Sequence, residues 1–304
     1  MKQIQIKVPA KINLFLHVTG RRSDGYHLLE SIFCPIDWYD DLTISICETP
    51  GITRTGGLPG LAQKDDLAVR AAHCLLDKLP LQTGVHIDLK KNIPSGAGLG
   101  GGSADAAYTL MAINELLQLN KTQQELATIG CTLGADVPFF LGNGPAFVSG
   151  IGDCIDAIAL PEMAAVVIKP PASIPTVDIF RHPDLTREAS SVKISVFGFS
   201  DSCGLPNFIA NEGKNQLQPV AESVCKQVVE AVSLFQTLPH SHAAQWVRMS
   251  GSGSSVFGVF SNMLQARQAE VMLQQQREAQ HSNQWLIKAV KTLPHANLKS
   301  QTVS

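Results

Sequence analysis

The stretch NIPSGAGLGGGSADAA, residues 92–107, places five glycines in the seven positions from Gly96 to Gly102 and runs directly into ADAAYTLMAINELLQL, a strong helix former. Glycine gives up more conformational entropy on folding than any other residue, so its accumulation against a helix start needs a reason. Gly96, Gly98 and Gly101 satisfy G-x-G-x-x-G, but a dinucleotide-binding loop follows a buried strand directly and is answered by an acidic residue about 20 positions on. Here KKNIP separates strand from loop, and position 120 is Asn. A Walker A loop fails as well, because Gly102 stands where its lysine belongs. What both loops share survives: inward-turned backbone amides and a helix, opening at Ser103, whose positive end favours an anion. The Ser103 hydroxyl suits a phosphate or a metal ion. A glycine-rich turn that only lets the helix pack closely stays open as the alternative.

The chain has 304 residues, 44% hydrophobic and 16% charged, with a net charge of -2. That is enough length for two lobes and too apolar for disorder. The charge balance gives no basic field for nucleic acid. No apolar run approaches a membrane span, and lysines interrupt the apolar N-terminal stretch MKQIQIKVPAKINLFLHV, so neither a membrane nor a signal sequence is expected. Seven cysteines without a C-x-x-C pair read as reduced thiols. A cytoplasmic protein is expected.

QIQIKVPAKINLFLHV reads as one or two strands interrupted near Pro9, RRSDGY as a turn, and HLLESIFCPIDWYDDLTISI as two strands joined at WYDD. A glycine-rich link (51–60) precedes the helix DDLAVRAAHCLLDKL, and GVHIDLKKNIP is strand-like. TQQELATIGCTLG is a helix ending at Gly134, and ADVPFFLGNGPAFVSGIGD is strand and turn. Beyond residue 160 come a buried strand in MAAVVIKPPASIPT, a weakly patterned stretch to about 215, and a helix in VAESVCKQVVEAVSLFQ. A strand–turn–strand unit in AQWVRMSGSGSSVFGVFS, a helix near 262–280 and a strand in QWLIKAVKTL complete the chain. Strands and helices mix without regular βαβ alternation, so the class is α+β.

PSGAGLGGGSADAA resembles the phosphate-binding loop of the GHMP kinase superfamily. PAKINLFLHVTGRRSDGYH (9–27), LGADVPFFL (133–141), KPPASIPTVDIF (169–180) and RMSGSGSSVFG (248–258) narrow the resemblance to the branch acting on a cytidine diphosphate-linked methylerythritol. The matches run in chain order from residue 8 to about 260. The resemblance implies a two-lobed kinase with the active site in a cleft between an ATP-binding domain, residues 1–160, and a substrate-side domain, residues 161–304. It implies ATP and Mg2+ as cofactors, a small-molecule substrate phosphorylated on its 2-hydroxyl, and a place in non-mevalonate isoprenoid precursor synthesis.

It also assigns residues. Pro94, Ser95, Gly96, Ala97, Gly98, Leu99, Gly100, Gly101, Gly102, Ser103 and Ala104 would cradle the ATP phosphates. Lys11 and Asp136 would be catalytic: a lysine within an apolar strand needs an anionic partner, and the pair would keep the carboxylate ionised. Without the resemblance, Lys11 reads as an edge-strand lysine and Asp136 as a helix cap. Asn13, two residues along the same strand face, would bond the polyol. Tyr26 and His27 would hold the cytosine and Phe180 would stack on it; an ordinary core role for Phe180 competes. The histidines, His240 and His242 included, show no metal-ligand spacing.

Two positions depart from the family pattern. Asp66 stands where an asparagine meets the adenine; a helix cap there, with Lys91 or backbone groups reading the base, is the competing reading. Gln216 replaces an aspartate in KNQLQPV. The rivals are a GHMP kinase for another small alcohol, such as mevalonate or homoserine, and a non-catalytic nucleotide-binding module.

Overall fold

A computed structural model describes residues 2–76, 83–187, 204–279 and 284–294, together with the strand 301–303. The expected last turn of the first helix, Asp77–Leu79, and most of the weakly patterned stretch, 188–203, lie outside the described residues.

The first sheet is built from β1 (Gln3–Arg21), β2 (His27–Cys47), β3 (Gly51–Gly56), β4 (Gly84–Lys90), β5 (Ala146–Ser149) and β6 (Cys154–Ala157). β1 and β2 pair antiparallel along nearly their whole lengths, β4 and then a parallel β3 extend the sheet, and β5 pairs with the start of β2. The expected breaks near Pro9 and at WYDD do not occur. Pairing instead shifts register between Pro9 and Ala10, where Asp37 and Trp38 bulge from β2. Proline offers no N–H to the ladder, and a bulge absorbs that loss without ending the strand. A second shift between Asn13 and Phe15 leaves Leu14 unpaired on β1. GITRTG, expected as a link, is β3; its terminal glycines hide the short strand.

Four helices of this half cover the sheet: α1 (Leu67–Leu76), α2 (Gly101–Leu116), α3 (Gln123–Leu133) and α4 (Val137–Phe140). Ala71, Ala72 and Leu75 of α1 and Leu110 and Ile113 of α2 pack on Ile4, Leu42, Ile44 and Ile87. α3 opens on a reciprocal cap in which Thr122 and Glu125 satisfy each other's backbone amides. α2 begins at Gly101, two residues before the expected Ser103, because Gly100 already turns the chain with a left-handed N-cap. VPFF is helical rather than extended, with Pro138 in the first turn, where its fixed φ suits a helix.

The second sheet is antiparallel: β10 (Leu286–Lys291), β7 (Ala164–Lys169), β9 (Val256–Phe260) and β8 (Trp246–Met249), in that order. It carries α5 (Thr176–Arg181), α6 (Gly204–Asn211), α7 (Gln218–Val224), α8 (Lys226–Gln236) and α9 (Met263–Ala279). VAESVCKQVVEAVSLFQ reads as one helix but forms two, since Cys225 is extended between α7 and α8. β11 (Gln301–Val303) returns to pair with β1. A shared cluster of Ile12, Phe15, Ile32 and Ile36 against Val167, Phe257 and Val290 joins the sheets at the middle of β1 and β2. Lys11 and Asn13 sit on that same segment. Among the described residues no helix is long and apolar enough to cross a membrane.

Candidate active site

Two distant segments, β1 and the turn between β8 and β9, close on the glycine loop. Lys11 N–H donates to Leu99 O at 2.9 Å, Ser255 N–H to Ala97 O at 3.2 Å, and the Ser250 hydroxyl to Gly98 O at 2.9 Å. A β-carbon on Gly98, whose φ is +71°, would stand 2.2 Å from Ser250 O. Only glycine lets these two backbones meet. One on Gly100 would stand 3.2 Å from Lys11 Cε.

Lys11 is 3% exposed, with β2 on one side and the glycine loop on the other, so it is no exposed edge lysine. Its ammonium donates to Asn13 Oδ1 at 2.6 Å, lies 3.4 Å from Asp136 Oδ2 and sits 4.5 Å over the Phe33 ring. Asp136 occupies the N-cap position of α4, yet its side chain caps nothing and remains 32% exposed. The carboxylate is therefore held by a cation and open to an acceptor. Asn13 Nδ2 donates to Ser31 Oγ at 3.0 Å, and Ser31 in turn donates to Phe15 O, which fixes the amide with its oxygen toward Lys11.

A cavity of about 770 Å³ brings together Lys11, Asn13, Asp136, Tyr26, His27, Phe180 and one side of the glycine loop, Gly96, Gly98 and Gly100. Tyr26 stands 62% exposed on the rim, at the end of a turn in which Asp24 accepts from its N–H at 3.2 Å. The His27 and Phe180 rings lie 5.1 Å apart, tilted by 31°. Burial, then Arg187 and Arg21, lower the His27 pKa from its ordinary value.

A smaller cavity of about 380 Å³ opens on the other side of the loop, lined by Pro94–Ser103 with Asp66, Lys91 and Asp105. Ala104 is not part of that lining; it is buried, and its N–H is spent on Gly100 O at 2.9 Å. The Lys91 ammonium is clasped between Asp105, at 2.5 Å, and Asp40. Asp40 also accepts from Ile93 N–H at 2.8 Å, which fastens the KKNIP turn. Burial pushes the Asp105 carboxyl up to about 7, against the pull of Lys91, and its Oδ1 has no hydrogen-bond partner among the described residues. Asp66 caps α1, its Oδ1 accepting from Ala68 N–H at 2.9 Å, while Oδ2 lies 2.5 Å from Arg54. Both oxygens are engaged inside the protein, so the cap reading describes its geometry.

Gln216 apart, the residues that brace this region carry no sequence signal. Asn215 Nδ2 donates to Met249 O and Gly251 O, both at 2.8 Å, and braces the GSGSS turn. Gln218 Oε1 accepts from Met249 N–H at 2.9 Å. Gln216 accepts from Val18 N–H through its side-chain oxygen. Arg248, buried and lowered by burial to about 10, donates to Leu14 O and Ile209 O and lies over Trp246. It pins the bulge beside Asn13. A buried arginine in WVRM needs partners, but nothing local names them. Among the described residues no group of three or more His, Cys, Asp or Glu is placed to hold a metal, and the described cysteines are free.

A glycine loop at a helix start, meeting a buried lysine and a partly exposed carboxylate between two α+β halves, matches a known class. The GHMP kinases N terminal domain family matches residues 66–144. A homoserine kinase from Cytophaga hutchinsonii, 16% identical, shares the fold with a TM-score of 0.70 over 99% of this chain and 97% of that one. The molecule has the GHMP kinase fold. A solved 4-(cytidine 5'-diphospho)-2C-methyl-D-erythritol kinase is 31% identical, with a TM-score of 0.77 over 95% of this chain and 98% of its own. The 4-diphosphocytidyl-2-C-methyl-D-erythritol kinases of Acidovorax sp. (strain JS42) and Polynucleobacter asymbioticus are 44% and 43% identical, over 87% and 90% of this chain and 90% and 89% of theirs. The chain belongs to the 4-diphosphocytidyl-2-C-methyl-D-erythritol kinase family.

Proposed function

We propose that this protein transfers the γ-phosphate of ATP to the 2-hydroxyl of 4-diphosphocytidyl-2-C-methyl-D-erythritol, a cytoplasmic step of non-mevalonate isoprenoid precursor synthesis. The observation that carries the reading is the cavity itself. Lys11 and Asp136 line it together with Tyr26, His27 and Phe180, and the glycine loop borders both this cavity and the smaller one. Mevalonate and homoserine carry no base and would leave the aromatic wall without a partner.

Phosphoryl transfer needs positioning, charge stabilisation and a proton acceptor. Asp136 takes the proton of the acceptor hydroxyl as its oxygen bonds to the γ-phosphorus and the bond to the ADP oxygen breaks. Lys11, 3.4 Å from the Asp136 carboxylate, holds it in place and orients the acceptor oxygen, while Asn13 bonds the polyol. The loop amides and the start of α2 offset the phosphate charge. On this reading residues 1–160 hold the nucleotide and also carry Lys11, Asn13, Tyr26, His27 and Asp136 of the acceptor cavity, to which residues 161–304 add Phe180. Mg2+, when bound, neutralises developing charge; with no acidic cluster among the described residues, triphosphate oxygens would supply most of its ligands and Ser103 the hydroxyl.

Asp136→Asn removes the proton acceptor and keeps the shape. It should cut turnover by roughly 100-fold or more while ATP and substrate still bind. Near-normal turnover would remove Asp136 from the mechanism and leave the reading without its chemistry.

A further inference from the structure

Arg187, just beyond α5, reaches back to the aromatic wall of the cavity. Its Nε–H donates to His27 Nε2 at 3.2 Å. The rest of the guanidinium is fastened by three carbonyls, His182 at 2.9 Å, Leu185 at 3.1 Å and Phe180 at 3.4 Å. A guanidinium donates and does not accept, so Nε2 must present its lone pair and Nδ1 must carry the proton. The described residues make no hydrogen bond to Nδ1, and the ring lines the cavity. Phe180 flanks the same ring.

We propose that Arg187 sets the base preference of the cavity by locking His27 in the Nδ1–H tautomer, so that the imidazole donates to N3 of cytosine and opposes uracil. The proposal rests on the cytidylyl reading above and deepens it. Cytosine N3 is an acceptor, whereas uracil N3 carries a hydrogen. A free neutral imidazole could move its proton to Nε2 and accept that hydrogen through Nδ1. Arg187 closes this route, because an Nε2–H would face the guanidinium N–H. Burial, with the charges of Arg187 and Arg21, also disfavours the doubly protonated ring. Arg187 is a positioning residue that acts through His27.

Two measurements on the full chain test this. Nitrogen-15 NMR of histidine-labelled protein, with His27→Asn to assign the resonance, reads the tautomer without substrate. The wild type should show an unprotonated Nε2, and Arg187→Met should show proton on Nε2. The second measurement compares kcat/KM for the cytidylyl and uridylyl forms of the polyol substrate on the same preparations, so loss of folded enzyme cancels in the ratio. The cytidylyl preference should fall about tenfold or more in Arg187→Met, through KM, and return in part in Arg187→Lys, which keeps a donor. A protonated Nε2 in the wild type, or an unchanged ratio in Arg187→Met, overturns the proposal. A wild type that shows the Nδ1–H tautomer yet turns over neither nucleotide-linked substrate overturns the cytidylyl reading itself.

Discussion

Asp105 sits where two carboxylates share one ammonium. Asp40 and Asp105 both touch Lys91, and burial raises the Asp105 carboxyl from its ordinary 3.8 to about 7. A carboxylate raised on folding binds its proton more tightly in the native state. Its contribution to stability is therefore fully present below pH 4 and is lost as pH rises toward and through 7. His17 and His27 act in the opposite sense: their lowered values favour the native state above their ordinary 6.5, and that contribution is lost as pH falls. The difference between wild type and Asp105→Asn isolates the first effect. Melting curves should show Asp105→Asn gaining stability relative to wild type between pH 5.5 and 8, and an unchanged difference across that range would remove the buried carboxyl as its source. Lys91, weighed as a reader of the nucleotide base, is legible in sequence only as a charge beside the loop. Its two acidic partners stand 51 and 14 positions away and meet it only once β2 and α2 are in place. Asp66 is similar. Its cap to Ala68 is local and readable, whereas Arg54 comes from a strand that its flanking glycines conceal.

At the scale of elements, the junction of loop and helix is the most informative part of the chain. Five glycines against a helix start read as an anion cradle, and α2 does begin there, although Gly100 turns it two residues early. A β-carbon on Gly101 would lie 2.9 Å from Ile93 Cγ2 and 3.3 Å from Lys91 Nζ. Gly101→Val should therefore weaken ATP and ADP binding by about tenfold or more, since a branched side chain forces the loop away from its amide geometry. Calorimetry on the folded variant checks this, and full nucleotide affinity would mean the loop does not hold the phosphates. The strand pair β1–β2 was legible in pattern but not in continuity. Pro9 and WYDD look like breaks until the opposite strand is known, because a bulge depends on what lies across it. The division between α7 and α8 at Cys225 has no proline or glycine to announce it.

For the whole molecule, β1 is the common member. It pairs within the first sheet, shares a core with the second and carries Lys11 and Asn13 where the two halves meet. The Asn215 brace, the Ser250 contacts and the Arg248 anchor secure that meeting across 200 or more positions of sequence in some cases. Such long-range partners have no local pattern, so the site's first layer was legible and its support was not. This frame phosphorylates a cytidylyl-linked polyol, and ADP release reads that directly. ADP release should be measured with ATP and 4-diphosphocytidyl-2-C-methyl-D-erythritol, beside mevalonate and homoserine under the same conditions. Rapid release with the cytidylyl substrate and background release with the other two is the predicted result. Equal or faster release with either base-free alcohol would contradict it.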